Sequence, residues 1–418
     1  MSAALRAKMF YGWRVVGAAF IVAVFGWGVG FYGPPVFLSV VQRSTGWSLA
    51  LVSAAVTTHF LIGAVAGANL PAIHRRFGLA AVTKTGALAL GGGVIGWAAA
   101  SAPWQLFAAT LFTGFGWGTM SAAALNAIVS PWFVRGRPAA LSMAYNGGSV
   151  GGVIFSPLWV AAIGILGFPL AAVAVALVMA VVIWLLADRL LSRTPEQLGL
   201  MPDGDAAGTR ATPTKSPGTK ALPGALLWRD RKFQTLSAGM GFGLFAQIGL
   251  VAHLFSLMVP ALGAQGAGLA MGLITAVAVA GRTILGWILP LASDRRLVAC
   301  ASYAVQLCGS LVFALAGGES VPLLLTGIVL FGIGFGNATS LPPLIAQVEF
   351  IEEDVPRVVA LIVAVAQAGF AFAPVAFGLI RQFAWGGGGP DSGLAPGVFL
   401  AAATTQALAI CALLWGRR

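Results

Sequence analysis

Charged residues are scarce in this sequence: aspartate, glutamate, lysine and arginine make up 9% of its 418 residues, whereas soluble domains carry about 25%. So few charges cannot cover a water-facing surface, and a soluble enzyme is therefore excluded. Apolar residues make up 59% of the chain, and its mean hydropathy is +0.92. This composition is typical of a protein that crosses a bilayer several times, because each spanning helix needs about 20 apolar residues.

Cysteine is also rare. Its three copies, Cys300, Cys308 and Cys411, lie in apolar runs without CxxC spacing, so neither a disulfide framework nor a zinc site is predicted. We expect no metal and no cofactor. The net charge of +12 raises the question of a nucleic-acid partner, but the basic residues follow the boundaries of apolar runs. We therefore interpret them as topology signals and predict no nucleic-acid binding.

Apolar runs long enough to span a membrane recur along the chain. There are twelve, near residues 12–41, 47–73, 79–100, 104–130, 137–164, 167–190, 232–260, 265–292, 297–316, 320–347, 357–384 and 395–415. The one long polar stretch, residues 192–231, separates the sixth run from the seventh and predicts a flexible linker. We predict an all-α membrane protein of two six-helix bundles, residues 1–191 and 232–418, joined by that linker.

Lysine and arginine are placed asymmetrically around the predicted spans. With the N-terminus in the cytoplasm, 21 of the 24 basic residues fall on the cytoplasmic side, Arg43 and Arg381 fall outside, and Arg282 lies within a span. Short cytoplasmic loops are enriched in both residue types. We therefore expect both termini to be cytoplasmic, in a bacterial-type inner membrane. The two halves also echo each other, since LPAIHRRFG ends span two and LPLASDRR ends span eight.

This organisation resembles the major facilitator superfamily, with six plus six spans and a basic pair after spans two and eight. Shorter motifs resemble its bacterial monocarboxylate and oxalate:formate exchanger branch, namely YGWRV at Tyr11–Val15, YGPPVFL at Tyr32–Leu38, GWS at Gly46–Ser48, PWF at Pro131–Phe133 and NGGSVGG at Asn146–Gly152. The resemblance implies transport of small carboxylates by alternating access between repeated halves. It also implies gating or topological roles for Arg75, Arg76, Asp294 and Arg295.

The sequence departs from those families at three places. The acid that usually precedes the basic residues after span two is replaced within His74–Gly78, whereas the second half keeps Asp294. Animal-type monocarboxylate carriers place an acid one turn before the span-eight arginine, where this chain has Ala278. Oxalate exchangers carry a lysine in span eleven, where this chain offers Gln367. These departures argue against a gating ion pair that uses an acid in the loop after span two. They also argue against dicarboxylate exchange.

No carboxylate is available within the hydrocarbon, because all twelve acidic residues lie in loops or at span ends. Arg282 lies twelve residues before Asp294, about 18 Å along a helix axis. A guanidinium at that depth costs at least about 2.5–3.5 kcal/mol. We expect a substrate carboxylate to be its counter-ion, held by a bidentate fork that lysine cannot supply. The alternative is a structural arginine satisfied by backbone carbonyls or water.

Uncharged and weakly basic residues supply further candidates. His253 in span seven is a candidate for substrate binding or proton coupling, because imidazole titrates near physiological pH; packing is the alternative, and it is favoured for His59. The resemblance adds four substrate-binding candidates, Tyr32, Asn126, Tyr145 and Asn337, although polar side chains also join membrane helices. The sequence Gly33–Pro35 predicts a break in span one, and Asn146–Gly152 predicts close helix packing.

One fixed positive charge matches one carboxylate, whereas a second carboxylate would stay unpaired in a low-dielectric site. We therefore predict a monomeric carrier of small monocarboxylates such as lactate or pyruvate, with proton symport as an option. The alternatives are exchange of the oxalate:formate type and efflux of amphipathic compounds. A sensor lacks a signalling domain, because residues 192–231 are too polar to fold into one. An enzyme lacks paired acids, a metal cluster or an activated nucleophile.

Overall fold

The computed structural model describes residues 10–204, 224–288, 294–317, 319–351, 354–383 and 396–417. Helices account for nearly all of these residues, and no strand occurs among them. Ten helical stretches are long and apolar enough to cross a membrane. The prediction of an all-α membrane protein is therefore confirmed.

The N-terminal bundle contains eight helices. They are α1 Tyr11–Gly30, α2 Gly33–Thr45, α3 Leu49–Phe77, α4 Leu79–Ala99, α5 Pro103–Met120, α6 Ala122–Val129, α7 Arg137–Leu166 and α8 Phe168–Leu186. Helices α1 and α2 form one interrupted span, and α5 and α6 form another. This bundle therefore supplies six spans, as the apolar runs predict.

The C-terminal bundle follows a short helix, α9 Gly224–Leu227. Its helices are α10 Arg231–Ile288, α11 Arg295–Ala316, α12 Val321–Phe335, α13 Asn337–Glu349, α14 Val355–Phe370, α15 Ala373–Phe383 and α16 Pro396–Gly416. Helix α10 holds two spans, which reverse at Gly263, where φ is +68°. Because α12 with α13 and α14 with α15 each form one interrupted span, this bundle also supplies six.

The helix order defines two faces of the molecule. Tyr11 and Gly416 lie on one, which we name the terminal face, and Thr45 and Phe383 lie on the other, which we name the far face. Arg43 and Arg381, in the last turns of α2 and α15, belong to the far face. The remaining basic residues at described helix ends and loops belong to the terminal face.

The break in span one follows from its prolines. Helix α1 ends at Gly30 and α2 begins at Gly33, because Pro34 and Pro35 lack the N–H groups that would bond to Gly30 and Phe31. Two side chains of the same bundle form hydrogen bonds with backbone carbonyls near the break. Nε2 of His59 lies 2.9 Å from Gly30 O, and Nε1 of Trp159 donates to Gly28 O at 3.1 Å.

His59 is thereby a packing residue. Nδ1 lies 2.9 Å from the Thr113 hydroxyl, so both ring nitrogens are hydrogen-bonded and the side chain is fully buried. Replacing His59 with leucine leaves Gly30 O without this partner, which we expect to cost about 1–3 kcal/mol. The apparent melting temperature in detergent should fall, whereas His74→Leu at the half-exposed end of α3 should leave it within error. Equal melting temperatures for the two variants would contradict this role.

The glycine run Asn146–Gly152 brings α7 against α1. A Cβ atom at Gly151 would lie 2.5 Å from Val24 O, and one at Gly147 would overlap Phe20 O. Only glycine permits this approach of two backbones. The predicted packing role of the run therefore agrees with the structure.

The two described ends of the predicted linker, residues 192–231, pack against the bundles. Its first part folds onto the N-terminal bundle, where Asp203 accepts hydrogen bonds from the backbone N–H groups of Val134, Arg135 and Gly136 at 3.1, 2.8 and 3.0 Å. Leu227 of α9 is fully buried in the C-terminal bundle. The low hydrophobicity of this segment could not reveal the docking, because the docking depends on hydrogen bonds and not on apolar burial. Three backbone N–H groups in one turn form an anion-binding concavity that a single aspartate can fill. Residues 205–223 lie outside the described part of the chain.

Candidate functional site

Arg282 lies between the two bundles, on the second span of α10. Its Nη2 is 3.5 Å from the hydroxyl of Ser149 on α7, and its Nε has no hydrogen-bond partner among the described residues. The side chain is half-buried. Among the described residues no main-chain carbonyl accepts from its guanidinium, so the carbonyl form of the structural alternative has no support there.

None of the acidic residues in the described ranges lies within 4.0 Å of Arg282. The carboxylates that form ion pairs are found near the terminal face, where Lys84 pairs with Asp188 and Arg296 with Glu349. A guanidinium has five N–H donors, and the long contact to Ser149 uses only one of them. The arrangement leaves a partly desolvated cation that favours an incoming anion.

Tyr32 closes one side of this position. It sits at the break of span one and is buried, and its ring lies beside Thr275 of α10 against Gly152 of α7. A Cβ atom at Gly152 would lie 2.6 Å from the Tyr32 ring and 2.8 Å from Thr275. The predicted residue Tyr32 and the unpredicted residue Thr275 thus lie together at the interface of the bundles, where the unpredicted Ser149 contacts Arg282.

Gly336 closes the opposite side. It separates α12 from α13, and a Cβ atom there would overlap Ala278 O and lie 3.2 Å from Nε of Arg282. A side chain at this position would displace the guanidinium. Interrupted span ten therefore contacts Arg282 within its own bundle and α7 contacts it from the other, at the interface of repeated halves where transporters place their binding sites.

His253 lies apart from the contacts of Arg282. It is fully buried, and its Nε2 is 2.9 Å from Pro374 O. Because a carbonyl oxygen only accepts, Nε2 carries the hydrogen, and Nδ1 is left as a lone pair without a partner among the described residues. Close by, Arg381 donates to the Ser256 hydroxyl at 2.6 Å. The structure places His253 under the closed far face.

The other predicted polar residues are dispersed. The hydroxyl of Tyr145 donates to Ala122 O at 3.3 Å, at the break between α5 and α6. Asn126 is exposed and contacts the hydroxyl of Ser130. Neither side chain has a contact with Arg282 among the described hydrogen bonds.

Asn337 follows Gly336 but turns into the C-terminal bundle. It is buried, its Nδ2 donates to Ile333 O at 3.3 Å, and it lines a cavity of about 10 Å³ together with Tyr303 and Met240. That volume admits at most one water molecule. This placement favours packing over substrate binding for Asn337.

The bundles join each other at the far face. The N–H group of Val375, in the first turn of α15 where a helix offers it no internal partner, donates to Thr57 on α3 at 3.2 Å. Gln382 accepts from the N–H group of Ala50 at 3.0 Å. We name these contacts of α3 with α15 the far gate.

The loops predicted to act in gating keep within their own bundles. Asp294 caps α11 by accepting from the N–H groups of Arg296 and Leu297, and it pairs with Arg417 at 2.5 Å. Partial burial acts to raise the pKa of Asp294, but these hydrogen bonds outweigh it and lower that pKa below its ordinary value. Arg295 donates to Leu344 O at 2.6 Å.

The first-half basic pair has no such clamp among the described residues. Arg75 and Arg76 are exposed, and the guanidinium of Arg76 lies 5.1 Å from the ring centre of Phe77. Arg296, by contrast, is buried and bonds both carboxylate oxygens of Glu349 at 2.5 and 2.7 Å. The repeated sequence motif therefore has unequal roles in the two bundles.

The family model described as Major Facilitator Superfamily matches residues 16–374. The chain belongs to the major facilitator superfamily. It is therefore a secondary transporter of small molecules and not an enzyme. The expected superfamily is confirmed, and no curated protein sequence matches the chain.

Solved structures of other superfamily transporters share the fold. The nucleoside transporter NupG aligns with a TM-score of 0.75 and 11% identity over 98% of this chain and all of its own. A D-xylose-proton symporter aligns with a TM-score of 0.73 and 14% identity over 97% of both chains. A bacterial homologue of the human lysosomal transporter Spinster aligns at 0.69 with 14% identity, covering 98% of this chain and 97% of that one. At these identities the likeness shows the fold alone.

Proposed function

We propose that this transporter carries small organic anions, monocarboxylates such as lactate or pyruvate, by alternating access. The observation that supports the proposal is Arg282, a half-buried guanidinium between the bundles without a carboxylate partner in the described chain. One carboxylate would neutralise it through a bidentate pair. When the loaded site has no net charge, the protein can change from one opening to the other at a smaller desolvation cost than with a charged site.

The hydroxyl groups around Arg282 suit the rest of such a substrate. Ser149 contacts the guanidinium, and Tyr32 with Thr275 adds two further hydroxyl groups between the bundles. A keto or hydroxyl oxygen beside the carboxylate would find partners there. Two carboxylates would leave one anion unpaired, which disfavours dicarboxylate exchange.

The closed far gate fits one state of an alternating cycle. With both termini in the cytoplasm, as the basic residues indicate, the far face is external and this state opens inward. Proton coupling is a secondary part of the proposal. His253 offers an unpartnered Nδ1 beneath the far gate, and the substrate itself is the alternative proton carrier.

Uptake into proteoliposomes tests the function directly. Labelled lactate or pyruvate should accumulate in vesicles that contain the protein, and oxalate should compete poorly. An inward proton gradient should raise the initial rate if transport is a symport. Stimulation by internal substrate without a gradient effect would indicate exchange, and absence of uptake for every short monocarboxylate would reject the assignment.

A further inference from the structure

A groove lies on the terminal face of the N-terminal bundle, away from Arg282. It has a volume of about 630 Å³ and runs between the start of α4 and the segment that follows α8. Helices α4 and α8 pack against each other and against helices of their own bundle. The groove is therefore not part of the path between the two bundles.

One wall of the groove is apolar and continues onto the outer surface. Phe77, Leu88 and Trp184 line it with relative exposures of 59, 49 and 46%. Apolar side chains exposed on the outside of a membrane bundle contact lipid chains rather than water. The groove thus opens sideways toward the hydrocarbon of the leaflet at the terminal face.

The mouth of the groove carries positive charge and an indole ring. Nζ of Lys84 lies 4.5 Å from the ring centre of Trp184 and also pairs with Asp188. Arg193 lines the mouth, is exposed, and has no hydrogen bond or ion pair with a described residue. The ring of Trp184 is exposed, and tryptophan settles at the headgroup level of bilayers.

We propose that this groove binds one anionic phospholipid, with its phosphate at Arg193 and Lys84 and an acyl chain along Leu88 and Trp184. Two cations and one carboxylate leave the mouth with excess positive charge, which complements an anionic headgroup. Basic pockets at this level of membrane proteins bind such headgroups. A zwitterionic lipid gains less, because its own amine already balances the phosphate.

Native mass spectrometry of the purified, detergent-solubilised protein tests the proposal. Added phosphatidylglycerol should remain bound about fivefold more than phosphatidylethanolamine of the same chains. Arg193→Gln should lower retention of phosphatidylglycerol about fivefold, the factor for about 1 kcal/mol per basic residue at an anionic surface. The control is Arg14→Gln, which removes the same charge from an exposed position on the same face outside the groove. That variant should retain lipid as the wild type does.

A second measurement locates the acyl chain. Phosphatidylglycerol with brominated chains should quench tryptophan fluorescence, and Trp184→Phe should remove part of that quenching. Millimolar inorganic phosphate should not displace the lipid, because the apolar wall contributes to binding. Equal retention of the two lipids, equal losses in the Arg193 and Arg14 variants, or displacement by free phosphate would each overturn the proposal. None of these readouts depends on the transported substrate.

Discussion

Replacing Arg282 with lysine is expected to reduce monocarboxylate uptake about 10- to 150-fold while the protein still inserts and folds. Lysine keeps the charge but replaces a planar fork by a single ammonium, so the bidentate geometry is lost. The factor corresponds to the loss of one charge-assisted hydrogen bond, about 1.5–3 kcal/mol. Initial uptake rates in proteoliposomes and substrate-induced shifts of the melting temperature measure the effect.

A matched control separates this effect from general damage. Arg14→Lys makes the same exchange at an exposed position on the terminal face, and uptake should stay near the wild-type rate. Arg282→Gln should abolish the substrate-induced shift altogether, because the counter-charge is removed. Near-normal uptake by Arg282→Lys would show that the guanidinium has a structural role only.

The sequence predicts the spans and the break in span one, because these depend on local properties. Apolar length determines where a helix can cross the bilayer, and Pro34 with Pro35 removes two backbone donors wherever the fold places them. The solitary cation Arg282 is equally visible, since the acidic residues lie only in loops or at the ends of the predicted spans. These features require no knowledge of which helices touch.

The surroundings of Arg282 could not be predicted in the same way. Ser149 lies within a glycine run that indicates only close packing, and Thr275 is one hydroxyl among many in apolar helices. Their proximity depends on contact between α7 and α10, which come from different bundles. His253 illustrates the converse, because residue type suggested substrate contact whereas tertiary packing places it beneath the far gate.

Helix α10 connects the far gate with Arg282. Helix α10 carries Arg282 on its second span and His253 on its first, and the turn at Gly263 joins the two. His253 contacts α15 through Pro374, while Arg282 meets α7 and the break in span ten. We infer that an anion at Arg282 acts on both bundles, because its neighbours come from each of them.

Replacing Gly378 with alanine is expected to oppose closure of the far gate. A Cβ atom at this position on α15 would lie 2.5 Å from Oγ and 2.7 Å from Cβ of Ser53 on α3. Overpacking of this kind costs about 1–3 kcal/mol, which lowers the ratio of closed to open protein about 5- to 150-fold. Uptake should fall correspondingly, because the cycle needs the closed state.

Cross-linking measures the gate itself. With Cys300, Cys308 and Cys411 replaced by serine, a short bifunctional thiol reagent should join Ala50→Cys to Gln382→Cys, and Gly378→Ala should lower the yield. Gly369→Ala is the control on the same span, since a Cβ atom there meets nothing within 4 Å. Adding Ser53→Gly should restore both the cross-link and uptake by removing the atoms that clash. If that second substitution fails to rescue the closed state, contact between α3 and α15 at this point does not control the gate.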